Sequence, residues 1–273
     1  MPLTISWSAL KSHEECRQKH FLQQTGHRSP GRDLRGFFHG TVADRVMRAW
    51  LDQESPELGA MPGMVIDMID KCLVEAKDTE DGVVRWKGRE DRGILTEYVV
   101  ELVTRLEPWL VANVLPYDYQ PEHRFRVPVR IPYLDGTPVV ITLIGGIDIL
   151  VRENEAENVW AAYDLKATKN DQYVKQVLGQ GIFYDLAIRA AWGKSPRTFA
   201  FVQPMCKEAI VKVAITDDDR RSLMARIQRM AHSMWRKDFD VRGDTKPCGQ
   251  CPVSYGCSRF SPVGGPTFAR PAL

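Results

Sequence analysis

Apolar residues recur at helical spacing through most of the first 115 residues of the chain. Four segments carry the pattern of an amphipathic helix, and they cover about residues 7–23, 37–51, 63–76 and 91–115. Charged and polar side chains fill the intervening positions, as on the solvated side of a surface helix. We therefore expect a largely helical N-terminal part.

The pattern changes to strand-like alternation from Tyr119 to Lys166. Three runs rich in β-branched residues lie there, separated by LDGT and by the charged turn RENEAEN. A helix is predicted over residues 171–192, followed by two short strands and a last helix that begins at the Thr216 cap and ends near residue 237. The pattern predicts an α/β protein with a five-stranded sheet and an embedded helix.

Composition indicates a globular chain and sets few limits on its partners. Of the 273 residues, 44% are apolar and 26% are charged, and the net charge of +2 neither requires nor excludes a nucleic acid. The start of the chain has no signal-sequence pattern, and no run of 18 apolar residues occurs. We therefore expect a cytoplasmic protein with reduced cysteines and no membrane contact.

Four cysteines are divided between the two ends of the sequence. Cys16 lies alone in the first predicted helix, whereas Cys248, Cys251 and Cys257 fall together in CGQCPVSYGC. Thiolates three residues apart can bind one metal, and the glycines and proline of this segment supply the turns. A shared metal centre would therefore join the N-terminus to the C-terminus.

Three kinds of site compete for these cysteines. Disulfides are disfavoured in a reducing cytoplasm. Zinc suits the C-x2-C pair, but zinc modules usually combine two nearby pairs, and here one ligand lies more than 200 residues away. An iron–sulfur cluster needs four thiolates and tolerates irregular spacing, so it fits the pattern better.

Two neighbouring predicted strands carry charged residues that suggest catalysis. Asp148 interrupts the apolar run LIGGIDILV, where an unpaired carboxylate is costly to desolvate. Asp164 and Lys166 follow in YDLKAT, and their spacing of two places both side chains on one face of the strand. With a backbone carbonyl such as that of Leu165, the carboxylates would form a hard oxygen site for Mg²⁺ or Mn²⁺, ions suited to phosphodiester hydrolysis. Lys166 would orient or deprotonate the attacking water, or neutralise charge on the transition state.

These motifs resemble the PD-(D/E)XK nuclease superfamily, in particular its RecB-like exonuclease branch with an iron–sulfur cluster, which includes AddB-type nuclease domains and the CRISPR-associated Cas-four nucleases. GGIDIL matches the family's metal-binding aspartate at Asp148, and DLK matches its Asp/Glu-x-Lys pair. Gln180 and Tyr184 match its Gln-x-x-x-Tyr motif, which would position the DNA strand, and helical spacing places both on one face. The four cysteines match the family's cluster ligands.

One motif departs from the family pattern. The family usually has Gly-x-x-x-His, whose histidine completes the metal site, but GTVAD places Asp44 at that position. We expect Asp44 to replace the histidine as a metal ligand, with His39 as the reserve and Glu122 as a weaker match to a further family acid. The competing interpretation pairs Asp44 with Arg48 on a solvated helix face.

The resemblance implies a restriction-endonuclease-like core, in which a mixed central sheet is flanked by helices. It implies one RecB-like nuclease domain over residues 1–260, with a helical part at about 24–116, the nuclease core at about 117–237, and a cluster segment formed by residue 16 and residues 248–257. The cluster would be a structural 4Fe-4S group that closes the two ends of the chain around the DNA end. Residues 261–273 are predicted to form a flexible tail.

The function that follows from the resemblance is that of a DNA exonuclease dependent on Mg²⁺ or Mn²⁺. It would act on DNA ends, single-stranded ones included, in recombination, repair, or phage or CRISPR DNA processing. The chain has no GxxxxGK[ST] loop, so frayed ends or a helicase or recombinase partner would supply its substrate. Two alternatives stay open: a non-catalytic, metal-stapled DNA-binding or assembly module with a decayed nuclease core, and a zinc-stabilised RNA-processing factor.

Overall fold

The computed structural model describes residues 3–25, 35–77, 92–154 and 159–239, together with Cys251, Val253 and Cys257. Cys248 and the predicted tail lie outside the described residues. The chain divides into two compact units. The terminal unit consists of Met1–Arg32, Val129–Thr142 and Met224–Leu273, and the core unit consists of Asp33–Pro128 and Leu143–Leu223.

Helices and strands follow one another in the order that the sequence predicts. The helices are α1 (Trp7–Glu15), α2 (Arg17–Gln24), α3 (Arg35–Leu51), α4 (Met61–Lys77), α5 (Arg92–Asn113), α6 (Tyr173–Trp192) and α7 (Asp217–Trp235). The strands are β1 (Thr4–Ile5), β2 (Asp118–Pro132), β3 (Pro138–Asn154), β4 (Val159–Leu165), β5 (Thr198–Val202) and β6 (Ile210–Lys212). No helix in these described ranges is long and apolar enough to cross a membrane.

The predicted first helix is wrong in one respect, because it is broken at Cys16. The backbone of Cys16 is extended, with φ −164° and ψ 117°, so α1 ends before it and α2 begins after it. Its Sγ accepts a hydrogen bond of 3.4 Å from the backbone N–H of Lys19, as an N-cap side chain does. Cys16 therefore lies at a junction between two helices and not on a helix face.

The sheet is mixed, as predicted, and the described strands number six and not five. The strand that the sequence did not predict is β1, only two residues long, which pairs with β3. Pattern analysis has little to detect in so short a strand. Strand β2 also pairs with β3.

Within the core unit, β3 pairs antiparallel with β4, β4 parallel with β5, and β5 antiparallel with β6. The parallel pair requires a crossover, which α6 supplies. This mixed sheet flanked by helices confirms the predicted restriction-endonuclease-like class.

The two faces of the sheet in the core unit have different coverings. One face packs against α3, α4 and α5 in the main apolar core, to which the strands contribute Ile149, Val151, Ala161, Tyr163, Ala200 and Val202. The opposite face carries Asp164, Phe199 and Phe201, and α6 lies over it. A Cβ added at Gly181 of α6 would come within 2.8 Å of the Phe199 ring, so helix and sheet are in close contact there.

In the terminal unit, the N-terminal helices pack against the last turns of α7. Arg226 binds Glu14 through two hydrogen bonds of 2.7 and 2.6 Å, and its guanidinium lies over the Trp7 ring. The rings of Phe21 and Phe239 stack with centroids 4.2 Å apart. Residues more than 200 positions apart in sequence are therefore neighbours within this unit.

Candidate active site

Two strand carboxylates form the centre of the candidate site. The β3–β4 register pairs Ile149 with Tyr163, and one further step along both strands places Asp148 opposite Asp164. An Oδ of Asp148 accepts a hydrogen bond of 2.7 Å from the backbone N–H of Leu165. Asp164 is almost fully buried, with 2% of its surface exposed. The strand pairing thus fixes the backbone positions of both carboxylates.

Lys166 projects to the same face as Asp164 and forms an ion pair with it. Its ammonium also donates a hydrogen bond of 2.9 Å to Oε1 of Gln180 and lies 5.3 Å from the centroid of the Phe201 ring. Only 13% of the Lys166 side chain is exposed. The ammonium of Lys166 is therefore held by contacts with Asp164, Gln180 and Phe201.

The Gln180 side chain connects Lys166 to a buried tyrosine. Its Nε2 donates a hydrogen bond of 2.7 Å to the hydroxyl of Tyr184 and a longer one, 3.4 Å, to Asp164. Gln180 and Tyr184 are four residues apart on α6 and so share a helix face. The Tyr184 ring packs edge-on against Phe125, with centroids 5.8 Å apart. Four residues predicted separately from sequence motifs are joined in one hydrogen-bonded network.

The carboxylates at this site are held in their protonated forms more strongly than usual. Burial is the main cause that raises the pKa of Asp148 well above its ordinary range, and the charges of Asp164 and Asp44 add to it. Burial likewise raises the pKa of Asp164, although Lys166 opposes the shift. Clustered carboxylates that repel one another form a site at which a cation lowers the electrostatic energy.

Lys166 is a cation in this environment. Burial acts to lower its pKa, but the carboxylates of Asp164 and Asp148 outweigh burial and raise the pKa above the ordinary value. An ammonium that keeps its proton at neutral pH cannot accept one from water. The neighbouring carboxylates therefore favour the charged form of Lys166.

Asp44 lies in α3 and is engaged by Arg48, one helical turn later. Arg48 Nε donates a hydrogen bond of 3.0 Å to Oδ1 of Asp44, and its NH2 forms an ion pair with Oδ2. Burial raises the pKa of Asp44 and Arg48 lowers it, with smaller contributions from Glu122 and Asp164 that raise it. Asp44 is therefore within electrostatic range of the strand carboxylates. The Asp44–Arg48 pair forms, and only 20% of the aspartate side chain is exposed.

Glu122 and His39 have other partners near α3. Glu122 forms ion pairs with Arg48 and Arg124. Burial acts to raise the pKa of Glu122, but the hydrogen bonds and charges of the two arginines outweigh burial and lower it. The His39 ring lies 4.6 Å, centroid to centroid, from that of Tyr98.

The donor set suits a hard divalent cation in its chemistry. Three carboxylates and the carbonyl of Leu165 are oxygen ligands of the kind that Mg²⁺ and Mn²⁺ prefer. Among the described residues, however, no group of three or more His, Cys, Asp or Glu side chains has the geometry of a metal site. Two of the carboxylates instead hold cationic partners, Asp44 with Arg48 and Asp164 with Lys166.

Three of the four predicted cluster cysteines lie in the terminal unit as free thiols: Cys16, Cys251 and Cys257. Burial raises the pKa of the Cys251 thiol, the charges of Cys16 and Cys257 raise it further, and Lys19 opposes the shift. The Cys251 sulfur is therefore within electrostatic range of those of Cys16 and Cys257. The fourth predicted ligand, Cys248, lies outside the described residues.

Comparison with known proteins agrees with this geometry. The family model described as the PD-(D/E)XK nuclease superfamily matches residues 4–258, nearly the whole chain. The chain belongs to the PD-(D/E)XK nuclease superfamily. Membership implies nuclease activity with DNA as the substrate, and PD-(D/E)XK nucleases usually use Mg²⁺ or Mn²⁺.

Other comparisons add little to what the PD-(D/E)XK family match shows. The crystal structure of SSO0001 is similar at 14% sequence identity and a TM-score of 0.39, covering 84% of this chain and 100% of its own. Values this low carry no information on function. No curated protein is significantly similar to this chain.

Sequence reasoning did not anticipate one feature of this PD-(D/E)XK site. Glu122 has a φ of +52°, in the left-handed region that residues other than glycine rarely adopt. The chain is extended on either side, so the strand pattern gives no sign of it. The proline at position 121 is the one local signal, since proline within a strand marks an edge or a bulge.

Proposed function

We propose that the protein is a divalent-metal-dependent DNA exonuclease in which Asp44, Asp148 and Asp164 hold Mg²⁺ or Mn²⁺. The observation that carries the proposal is the arrangement of Asp148, Asp164 and Lys166 on one face of two paired strands. A bound divalent ion supplies Lewis-acid polarisation of the phosphate and a more acidic water. The motif order of the RecB-like branch supports the choice of an exonuclease.

The chain's own residues have distinct roles in this proposal. The Lys166 ammonium neutralises negative charge that develops on the phosphate in the transition state, because it keeps its proton beside Asp164. Gln180 orients that ammonium through the 2.9 Å hydrogen bond, and Tyr184 fixes the Gln180 amide. Burial of these groups strengthens their electrostatic interactions by excluding water.

The test is degradation of end-labelled linear DNA, compared with closed circular DNA, with Mn²⁺ and without it. We expect the wild-type protein to degrade only the linear form, and only with metal. Lys166→Ala should abolish cleavage, whereas Lys212→Ala, at an exposed position of β6, should leave it unchanged. Thermal unfolding of each variant shows whether the fold is kept.

Two results of that assay would reject the proposal. Cleavage by Lys166→Ala at the wild-type rate would remove Lys166 from the mechanism. If the protein binds DNA equally well with and without metal and yields no cleavage products, the result would favour the alternative, a non-catalytic DNA-binding module. The engagement of Asp44 by Arg48 is the observation that favours this second candidate.

A structural 4Fe-4S cluster bound by Cys16, Cys248, Cys251 and Cys257 is the second part of the proposal. What supports it is the C-x2-C-x5-C segment and the position of Cys251 within electrostatic range of both Cys16 and Cys257 in the terminal unit. The cluster would hold the two ends of the chain together and transfer no electrons. Its ligands must be thiolates.

Anaerobic purification tests the cluster directly. We expect a brown protein with broad visible absorbance and iron in the metal analysis. Cys16→Ser should remove the colour, whereas Cys72→Ser, in the core unit, should keep it. A colourless protein that contains zinc would reject the iron–sulfur assignment and support the zinc-stabilised alternative.

The cellular role follows from the same resemblance. The chain lacks a phosphate-binding loop of the GxxxxGK[ST] type, so it has no recognisable ATP-driven motor of its own. We therefore infer that a helicase or recombinase supplies opened DNA ends in recombination, repair, or phage or CRISPR DNA processing, and that the protein works in the cytoplasm. Addition of an unrelated helicase should extend digestion into blunt duplex DNA if strand opening is limiting.

A further inference from the structure

The guanidinium of Arg48 is divided between two carboxylates from different parts of the core unit. Its Nε and NH2 bind the two oxygens of Asp44, and its NH1 binds Oε2 of Glu122. The other oxygen of Glu122 accepts hydrogen bonds of 2.9 and 2.6 Å from Arg124. All four oxygens of these two acids are therefore engaged by arginines.

The backbone of Glu122 is held in an unfavourable conformation at this contact. A φ of +52° lies in the left-handed region, which is unfavourable for a residue with a side chain. Such strain persists only where surrounding contacts impose it, and it is concentrated at functional sites. Arg124 binds Glu122 from the same strand, whereas Arg48 binds it from α3, so the Arg48 contact is the one that connects Glu122 to that helix.

A divalent ion would need the same oxygens. Asp44 replaces the histidine of the family motif, and the replacement adds a negative charge to a cluster that already contains Asp148 and Asp164. Arg48 offsets that charge through its two contacts with the Asp44 carboxylate. Both oxygens of Asp44 are engaged by the guanidinium fork, so a metal ion at Asp44 would compete with Arg48 for the same carboxylate charge.

On the basis of the proposed function, we propose that Arg48 competes with the divalent metal for Asp44 and that the displaced guanidinium binds a DNA phosphate. Guanidinium groups bind phosphate through the same paired hydrogen bonds that they make to carboxylates. Metal and DNA then assist each other, because DNA takes the arginine and leaves Asp44 to the metal. By linkage, each ligand raises the affinity of the other by the same factor.

The experiment measures Mn²⁺ affinity from the electron paramagnetic resonance signal of free Mn²⁺, without any cleavage. All proteins carry Lys166→Ala, so a short single-stranded oligonucleotide stays intact. We expect the oligonucleotide to tighten Mn²⁺ binding in this parent by about 5-fold or more, within the usual range of coupling between sites. The rise in melting temperature on addition of Mn²⁺ gives an independent measure of Mn²⁺ binding.

Arg48→Met keeps the length of the side chain and removes its charge. In this variant Mn²⁺ should bind about 10-fold more tightly than in the parent without DNA, and the oligonucleotide should no longer change the affinity. Arg45→Met is the matched control, because Arg45 lies on the same helix and pairs with Glu75. If Arg48→Met fails to fold, Arg48→Lys keeps a charge but loses the fork, and it should bind Mn²⁺ more tightly than the parent does.

The outcomes separate this inference from the proposed function. Two results would overturn the role of Arg48 and leave the nuclease assignment standing. One is Mn²⁺ binding that is unchanged or weaker in Arg48→Met, and the other is an undiminished response to DNA in that variant. Binding of Mn²⁺ by Arg48→Met but not by the parent supports the inference. Absence of Mn²⁺ binding in parent and variant alike, with DNA and without it, overturns both.

Discussion

The ammonium of Lys166 donates a 2.9 Å hydrogen bond to Oε1 of Gln180, 14 residues later in the chain. The lysine follows the end of β4 and the glutamine lies on α6, so this bond joins the sheet to the helix that covers it. The Gln180 amide is oriented in turn by the Tyr184 hydroxyl. Helix α6 therefore helps to orient the Lys166 ammonium.

Gln180→Leu should lower kcat by about 10–100-fold, because a hydrogen bond to a charged group contributes roughly 1.5–3 kcal/mol. Tyr184→Phe should have a smaller effect, since Gln180 keeps its contact with Lys166 and Asp164. Steady-state rates on single-stranded DNA, with melting temperatures, provide the measurement. Gln172→Leu, at an exposed position before α6, is the matched control and should change nothing. An unaltered kcat in Gln180→Leu would remove the orienting role.

Asp148→Asn should stabilise the metal-free protein at neutral pH. Burial and the neighbouring carboxylates raise the pKa of Asp148, so the folded state binds its proton more tightly than the unfolded chain does. That contribution to stability is fully present below the unfolded pKa of about 4 and is lost as the pH rises through the folded value. The variant should therefore melt at a higher temperature than the wild type at neutral pH. The two should converge below about pH 4.

Melting curves in EDTA across this pH range check the prediction. A tenfold change in proton affinity between the folded and unfolded states corresponds to about 1.4 kcal/mol, and each kcal/mol moves the melting temperature of a chain of this size by roughly 2–4 °C. Asp135→Asn, at an exposed turn, is the contrasting control, because hydrogen bonds from Thr137 lower the pKa of Asp135. A variant of Asp148 that melts below the wild type at neutral pH would contradict the expected sign.

The ion pair between Asp185 and Arg220 should be important for stability. Asp185 is 1% exposed, and Arg220 Nε donates a hydrogen bond of 2.6 Å to it. Asp185→Ala leaves the guanidinium without its buried partner and should cost about 3 kcal/mol, near the lower end for such pairs because Asp217 still binds Arg220. Urea unfolding gives the value. Asp218→Ala breaks an exposed pair with Arg221 and should cost less than about 0.5 kcal/mol.

Gly181→Ala should destabilise the core unit although alanine is the better helix former. The added Cβ would lie 2.8 Å from the ring of Phe199, which is buried. Overpacking of this kind costs typically 1–3 kcal/mol, and the gain in helix propensity offsets at most about 1 kcal/mol. Gly63→Ala in α4 meets no atom within 4 Å and should be neutral or stabilising. Equal stability changes in the two variants, measured in urea, would argue against contact between α6 and the sheet.

Local spacing was sufficient to predict the central part of the site. Strand alternation places Asp164 and Lys166 on one face, and helical spacing places Gln180 and Tyr184 on another, so short-range geometry determines each pair. The hydrogen bond between Lys166 and Gln180 joins these pairs, and it depends on the packing of α6 on the sheet.

Features that depend on distant contacts were not predictable. The helical spacing of Asp44 and Arg48 predicts their pair. It does not predict the ion pair between Arg48 and Glu122 of β2, because no pattern within α3 indicates a strand residue 74 positions after Arg48. The left-handed φ of Glu122 coincides with side-chain contacts to Arg48 and Arg124, and the Arg48 contact is distant in sequence. At the break between α1 and α2, the Cys16 sulfur caps α2 by accepting a hydrogen bond from the backbone N–H of Lys19. Cysteine is an unusual residue at an N-cap, so the sequence does not indicate this break.

The antiparallel register that places Asp148 opposite Asp164 limits the insertions and deletions that these strands can tolerate. Side chains alternate between the two faces of a strand, so inserting one residue into β4 between Tyr163 and Asp164 would direct the carboxylate and Lys166 toward the opposite face. A two-residue insertion would restore their direction but move them along the sheet by roughly 7 Å. Deletions and insertions inside these strands should therefore be absent among active relatives, whereas substitutions at the solvent-exposed positions of β2 should be common.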